Sequence, residues 1–132
     1  MEPYVYVPIT EAGGTRLIQL QPSADQDAMI QCRLVHTSLA ATQKDVIDHY
    51  TALSYVWGSP SDRVTISVDG KSFAITKNLD CALKHLRDAT RVFSVWADAI
   101  GIDQQNNEEK KIQVQQMRYV YEFAAQRLYF LG

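Results

Sequence analysis

Cysteine is scarce in this 132-residue chain: Cys32 and Cys81 are the only two, and they lie far apart outside any CxxC pair. Two isolated thiols supply neither a disulfide framework nor the ligand spacing of a zinc site. Both are expected to be reduced, buried and acting as small apolar residues. An excess of basic charge is missing too. Thirteen Lys and Arg against fifteen Asp and Glu leave a net charge of -2, so no positive field draws in a polyanion, and nucleic acid is not expected as a partner. No stretch approaches the ~20 apolar residues that cross a bilayer, and the opening MEPYVYVPIT has neither the basic nor the apolar region of a signal peptide. A cytoplasmic location without a membrane partner is expected. His36, His49 and His85 have no ligand spacing with either cysteine, which argues against a metal site. Ser54 lacks the GxSxG turn that exposes a hydrolase nucleophile. Internal repeats, low-complexity tracts and linkers are also lacking.

What is present suits one globular domain or a piece of one, since the chain is 46% hydrophobic and 21% charged. RLIQL (16 to 20) and MIQCRLV (29 to 35) read as strands, the second with Ile30, Cys32 and Leu34 alternating with Gln31 and Arg33. The polar QPSADQDA between them is a loop. Residues 37 to 49 hold either a short helix or a loop. TALSYVWG (51 to 58) reads as a buried strand stopped by Gly58-Ser59-Pro60. VTISV and KSFAI flank Asp69-Gly70, which predicts a tight hairpin. Leu79, Ala82, Leu83 and Leu86 line one face of a helix, with Asn78 as its expected N-cap and Asp80 in its first turn.

VFSVWA (92 to 97) is a short buried strand ending at Asp98. Asn106 then caps a long helix, with Glu109 placed to close a capping box back onto the Asn106 amide. The expected apolar stripe of that helix is Val114, Met117, Tyr121, Ala124 and Leu128, and RLYFLG begins another strand. Strands alternating with helices favour a parallel sheet covered by helices, with the hairpin as an insertion. A parallel strand at the very end normally needs a further covering helix, so the domain reads as cut short at its carboxyl end.

Three blocks in this order, YTALSYVWG (50 to 58), ITKNLDCALKHLR (75 to 87) and the run from VWADAIGIDQQNNEEKK to LYFLG (95 to 132), make the chain resemble the amino-terminal portion of the fungal heterokaryon incompatibility (HET) domain family. The first and third blocks are specific in combination, whereas the middle one alone would fit many amphipathic helices. The family pattern DAICINQ stands here as DAIGIDQ, with Gly101 for the cysteine and Asp103 for the asparagine. No cysteine at that position can therefore serve catalysis in this chain.

The resemblance implies an α/β fold similar to TIR domains (flavodoxin-like): a partial parallel sheet with flanking helices, the inserted hairpin and an N-terminal β extension. Residues 1–49 would be that extension, packed on an incomplete HET core at 50–132. It implies a role in fungal self/non-self recognition, innate immunity and programmed cell death. Several TIR domains cleave NAD through a glutamate after the third strand, so NAD is implied as a substrate, with no covalently bound cofactor. The HET motif with a tryptophan and a Gln-Glu pair would lie beyond residue 132, which leaves this chain without the candidate catalytic glutamate and itself inactive. The alternatives are a non-catalytic module that associates with a second copy or a signalling partner protein, and an inactive fragment.

Under the nucleotide reading, Asp98 at a strand's carboxyl end is placed to accept from a ribose hydroxyl, against the bland role of a turn or helix cap. Ser54, Tyr55, Trp57 and Gly58 border the same crevice. Trp57 could stack on a ring and Gly58 allow close backbone approach, or Tyr55 and Trp57 could be core aromatics with Gly58 a strand stop. Asp103 and Gln104 lie in the strand-to-helix loop, where turn chemistry competes with ligand binding. Glu108 and Glu109 are read as helix-capping and dipole-stabilising carboxylates, and Lys110 and Lys111 as a solvated face.

Overall fold

The computed structural model describes residues 1–44 and 49–131. In chain order these form β1 (Gly14–Leu20), β2 (Gln31–Ser38), α1 (Leu39–Lys44), β3 (Thr51–Tyr55), β4 (Arg63–Val68), β5 (Lys71–Thr76), α2 (Lys77–Leu86), β6 (Phe93–Trp96), α3 (Asp98–Gly101), α4 (Asn107–Phe123) and β7 (Gln126–Phe130). The strands make one mixed sheet in the order β5-β4-β2-β1-β6-β3-β7. The architecture is α/β with flanking helices, but the sheet is not purely parallel. Among the described strands only β3 with β6, β3 with β7 and β2 with β4 run parallel.

β1 takes the middle of the sheet because it is apolar or internally paired on both faces, and it lies antiparallel between β2 and β6. The β1 and β2 segments thus belong to the same sheet as the later strands. The β4–β5 hairpin turns at Asp69 and Gly70, both in the left-handed region (φ 51 and 78) as a type I′ turn requires. It forms the far end of the sheet beside β2. Pro3 bridges to Ser72, and Tyr4, Tyr6 and Phe73 pack edge to face over the hairpin.

Two cores lie on opposite faces of the sheet. On one, Leu79, Ala82 and Leu83 of α2 pack against Ile18, Leu20, Leu53, Ile66, Ile75 and Val95. Each fully buried leucine there contributes about 1.5–3 kcal/mol relative to an exposed one. On the other, Val120 of α4 packs with Leu17, Tyr50, Ala52 and Trp96. Alternation along each strand sorts the side chains between the two cores, as in Trp96 on one face and Val95 on the other.

Several expectations are corrected. The strand over 51 to 58 stops at Tyr55: the Val56 amide still bonds the Phe130 carbonyl, but the Val56 and Trp57 side chains are half exposed and Gly58 turns the chain with φ +71. The N-cap of α2 is Thr76, whose hydroxyl accepts from the Leu79 amide, so the helix begins before Asn78. Asn78 instead donates to the Val56 carbonyl at 3.0 Å. In α4, Val114 is 53% exposed and Gln113 only 2%, so the buried face runs through Glu109, Gln113 and Val120. Polar residues occupy that face because Gln113 donates to the Gly14 carbonyl. Cys32 is buried as expected, but Cys81 is exposed on the outer side of α2. Of the undecided stretch at 37 to 49, residues 39–44 are helical and 45–48 lie outside the described residues.

Candidate functional site

β3 and β6 are adjacent and parallel, with Ala52 level with Trp96. After β3 the chain runs on to the β4–β5 hairpin of the same sheet, and after β6 it enters α3, whose Ile100 packs in the core beneath α2. The pairing of β3 with β6 ends at Ala52 and Trp96, and Asp98, two residues further on, is the first residue of α3.

Each expected residue has a definite place around this point. Ser54 faces α4, and its hydroxyl lies 2.8 Å from the Tyr121 hydroxyl. Tyr55, its neighbour on the strand, faces the α2 core, and its ring lies parallel to that of Trp57 with centroids 6.3 Å apart. Trp57 is 49% exposed, so its outer face is open to solvent. The Tyr55 hydroxyl is buried without a hydrogen-bond partner among the described residues. Its pKa is pushed up by burial and then by the nearby Asp98 carboxylate, with Arg63 acting in the opposite sense. Burial likewise raises the Tyr121 hydroxyl, partly offset by its Ser54 bond, and Asp98 again adds to the rise. Asp98 itself is held above the usual carboxylate value by burial, opposed by the Ala99 amide that donates to it. The Asp98 charge thus adds to the rise of two tyrosine hydroxyls, one from each face of the sheet.

Gly58 closes the loop after β3: a Cβ there would lie 2.6 Å from Asn78 Nδ2, in addition to the left-handed φ. Gln104 points back and donates to the Asp98 carbonyl at 3.0 Å. Asp103 is engaged in turn chemistry, its carboxylate accepting from the Gln105 amide at 3.1 Å. Ser54, Tyr55 and Trp57 therefore sit together at the carboxyl end of β3, with Asp98 near enough for its charge to act on the Tyr55 hydroxyl, while Gly58, Asp103 and Gln104 support the surrounding loops.

The chain matches the heterokaryon incompatibility protein (HET) family over residues 50–132. It is also 34% identical over 130 residues to heterokaryon incompatibility protein 6, OR allele, of Neurospora crassa, an alignment covering 89% of this chain. The chain belongs to the HET family. It spans only 18% of that relative's length. No solved structure matches it.

Within this HET domain, two contributors were not legible in the pattern. Tyr121, read as part of an apolar stripe, turns its hydroxyl into the strand-end cluster. Arg16, hidden within the apolar-looking RLIQL, is fully buried and pairs in bidentate fashion with Glu109 at 2.7 and 2.8 Å. Its other bonds go to the carbonyls of Gly101 and Val7, and its guanidinium lies 4.7 Å from the Tyr6 ring centre. Asn106 does cap α4 through the Glu109 amide. The Glu109 carboxylate, however, accepts from Arg16 and the Asp103 amide instead of closing a capping box, because Arg16 is the stronger partner. Among the described residues, no cluster of His, Cys, Asp or Glu could hold a metal ion. No helix among them is long and apolar enough to cross a membrane.

Proposed function

We propose that this HET domain serves cytoplasmic fungal self/non-self recognition and programmed cell death, with a TIR-like (flavodoxin-like) arrangement of β6, β3 and β7. Its nucleotide-binding crevice lies between the ends of β3 and β6. In the whole protein it cleaves the nicotinamide–ribose bond of NAD. The observation that supports this reading is the Tyr55 hydroxyl, without a partner among the described residues, beside the half-open Trp57 ring and within reach of the Asp98 charge at the carboxyl end of β3. Trp57 would stack on a planar base, and Asp98 would accept from a ribose hydroxyl.

Cleavage breaks the C1′–N bond, with the electron pair leaving on nicotinamide. Water adds to C1′ and loses a proton, giving ADP-ribose. A carboxylate steadies the oxocarbenium-like sugar in that step, as in glycosidases. That group is expected from the longer protein, so the test uses full-length material. Purified full-length protein and its Asp98→Ala variant are incubated with NAD, and nicotinamide release is followed. Turnover by the intact protein that falls at least about tenfold in the variant supports the proposal. Absence of turnover in the intact protein removes the enzymatic version.

A second reading is a non-catalytic module that joins a second copy or a signalling partner. It is favoured by apolar groups at the β7 edge, where Tyr129 is 80% and Leu131 84% exposed. It predicts oligomers that grow with concentration and normal signalling after Asp98 or Trp57 is replaced.

A further inference from the structure

A cavity of about 360 Å³ lies between the segment that leads into β1 and the first turns of α4, a volume in the range of small-ligand sites. Residues 8–14 form one wall and one side of α4 the other. The leading segment is drawn tightly onto itself. The Gly14 amide donates to the Glu11 carbonyl at 3.1 Å, and a Cβ on Gly14 would collide with Ile9 Cγ2, so glycine lets the turn close this far. The Leu39 amide holds the Gly13 carbonyl at 2.9 Å. These bonds fix the wall that carries Ile9 and Glu11, facing Glu108 and Ile112 of α4.

Hydrogen-bonding groups in the two walls are unevenly committed. Gln113 Nε2 and Gln116 Nε2 both donate to one acceptor, the Gly14 carbonyl, at 2.8 and 3.2 Å. Gln113 is only 2% exposed, and its Oε1 has no partner among the described residues. A buried amide oxygen without a donor is costly, so the structure leaves a place for one. Glu109 adds no free acceptor, because its carboxylate is held by Arg16 and the Asp103 amide. Glu11 and Glu108 line the cavity with exposed side chains, and neither is in an ion pair among the described residues. The cavity therefore offers two free carboxylates and a buried amide oxygen, with apolar surface from Ile9 and Ile112.

We infer that this cavity binds an aliphatic ammonium ion, borne on a lysine-type side chain or on a free alkylamine. An ammonium carries three donors and no acceptor, which answers a site whose own amide donors are committed. Its methylene stem would lie on the apolar wall while the charge meets Glu11 and Glu108. An anion would be repelled by those carboxylates. A metal ion is not the match, since no group of His, Cys, Asp or Glu among the described residues could hold one. The site is separate from the crevice at the end of β3 and stands whether or not NAD is cleaved.

The test is an NMR titration of the isotope-labelled protein with N-acetyl-lysine amide, its Nζ-acetylated counterpart and pentylamine. The first and third probes carry the ammonium, on a peptide unit and free respectively, and the second lacks the charge. Both ammonium probes should shift the side-chain amide signals of Gln113 and Gln116 saturably, with a dissociation constant on the order of 1 mM for ligands this small. The acetylated probe should bind at least about tenfold more weakly, the scale of one hydrogen bond to a charged group. Glu11→Gln and Glu108→Gln should each weaken ammonium binding by roughly twofold to fivefold, as should added salt. Both side chains are exposed, so the variants keep the fold. Tighter binding of the peptide-borne ammonium assigns the site to a partner's lysine, and tighter binding of pentylamine to a free amine; either upholds the cation site. Equal binding of charged and acetylated probes, affinity unchanged in both variants, or no saturable shift at the two glutamine amides overturns it.

Discussion

Replacing Arg16 with methionine tests whether the buried ion pair between β1 and α4 holds the fold together. The guanidinium makes four hydrogen bonds: two to Glu109 and one each to the Gly101 and Val7 carbonyls. Arg16→Met keeps most of the volume but strands the Glu109 carboxylate, 8% exposed, with the Asp103 amide as its remaining donor. Removing one member of a buried pair costs about 3–5 kcal/mol, because the survivor's desolvation is no longer offset. For a chain of this size that lowers the unfolding midpoint by roughly 10 °C or more. The double variant Arg16→Met/Glu109→Leu removes both charges and should cost about 2 kcal/mol less than the sum of the single losses.

The acid limb supplies a second signature of the same pair. Burial alone would raise the Glu109 pKa, but the Arg16 hydrogen bonds, the Asp103 amide and the charges of Arg16 and His36 bring it below the ordinary glutamate value. A carboxyl lowered in the folded state stabilises above its unfolded pKa of about 4.3, and that contribution is lost as pH falls through the folded value. In Arg16→Met, burial should dominate and the acid transition should move to higher pH. Urea unfolding followed by tryptophan fluorescence between pH 3 and 8 reads both effects. Single variants costing under about 1 kcal/mol, or a double variant equal to the sum of the singles, would refute the reasoning.

Thr76→Ala should destabilise by about 1 kcal/mol through loss of the α2 cap. Asn78→Ala should leave the helix intact and instead speed amide exchange in the segment after β3, since its side chain holds the Val56 carbonyl. Gly58→Ala should cost about 1–2 kcal/mol for the left-handed conformation alone, and more from the contact with Asn78. A thiol reagent should add one label to the native protein, at exposed Cys81, and a second, at Cys32, only on unfolding, as mass spectrometry would show. Burial pushes the Cys32 thiol up to about 12, which removes its thiolate at neutral pH.

Local chemistry made much of the fold legible in advance. Asp69-Gly70, the α2 leucines, the VFSVWA strand and the Asn106 cap depend on residues close in the chain, and all were found where expected. The failures arise where a distant partner decides. Nothing near Glu109 announces Arg16, ninety-three residues away in sequence, so a first-turn carboxylate looked like a cap. Nothing near Gln113 announces the Gly14 carbonyl, so a glutamine looked like a surface residue and the buried face of α4 was drawn too far toward Val114. A mixed sheet escaped notice for the same reason, because strand direction at β1 follows from pairings on both sides and not from its own pattern. At the strand ends the residue types on β3 and β6 were readable, but the donor from α4 was not, since a tyrosine in an apolar stripe gives no sign of where its hydroxyl goes.

The two features that escaped the sequence are physically connected through α3. A four-residue helix makes too few internal hydrogen bonds to hold itself, and its carbonyls are instead satisfied from elsewhere. Gln104 donates to Asp98, Tyr6 to Ile100 at 2.7 Å, and Arg16 to Gly101. Three side chains from three parts of the chain thus set the position of the short turn that carries Asp98. Arg16 is in turn oriented by both carboxylate oxygens of Glu109, and the same carboxylate receives the Asp103 amide just past α3. The ion pair therefore holds the carboxyl end of the segment from Asp98 to Asp103, at Gly101 and Asp103, while Gln104 holds its start. Loosening it would let the short turn that carries Asp98 shift even though none of the strand-end residues had changed. Under the nucleotide reading Asp98 needs such support, because an error near 1 Å is enough to spoil the fit of a carboxylate to its ligand.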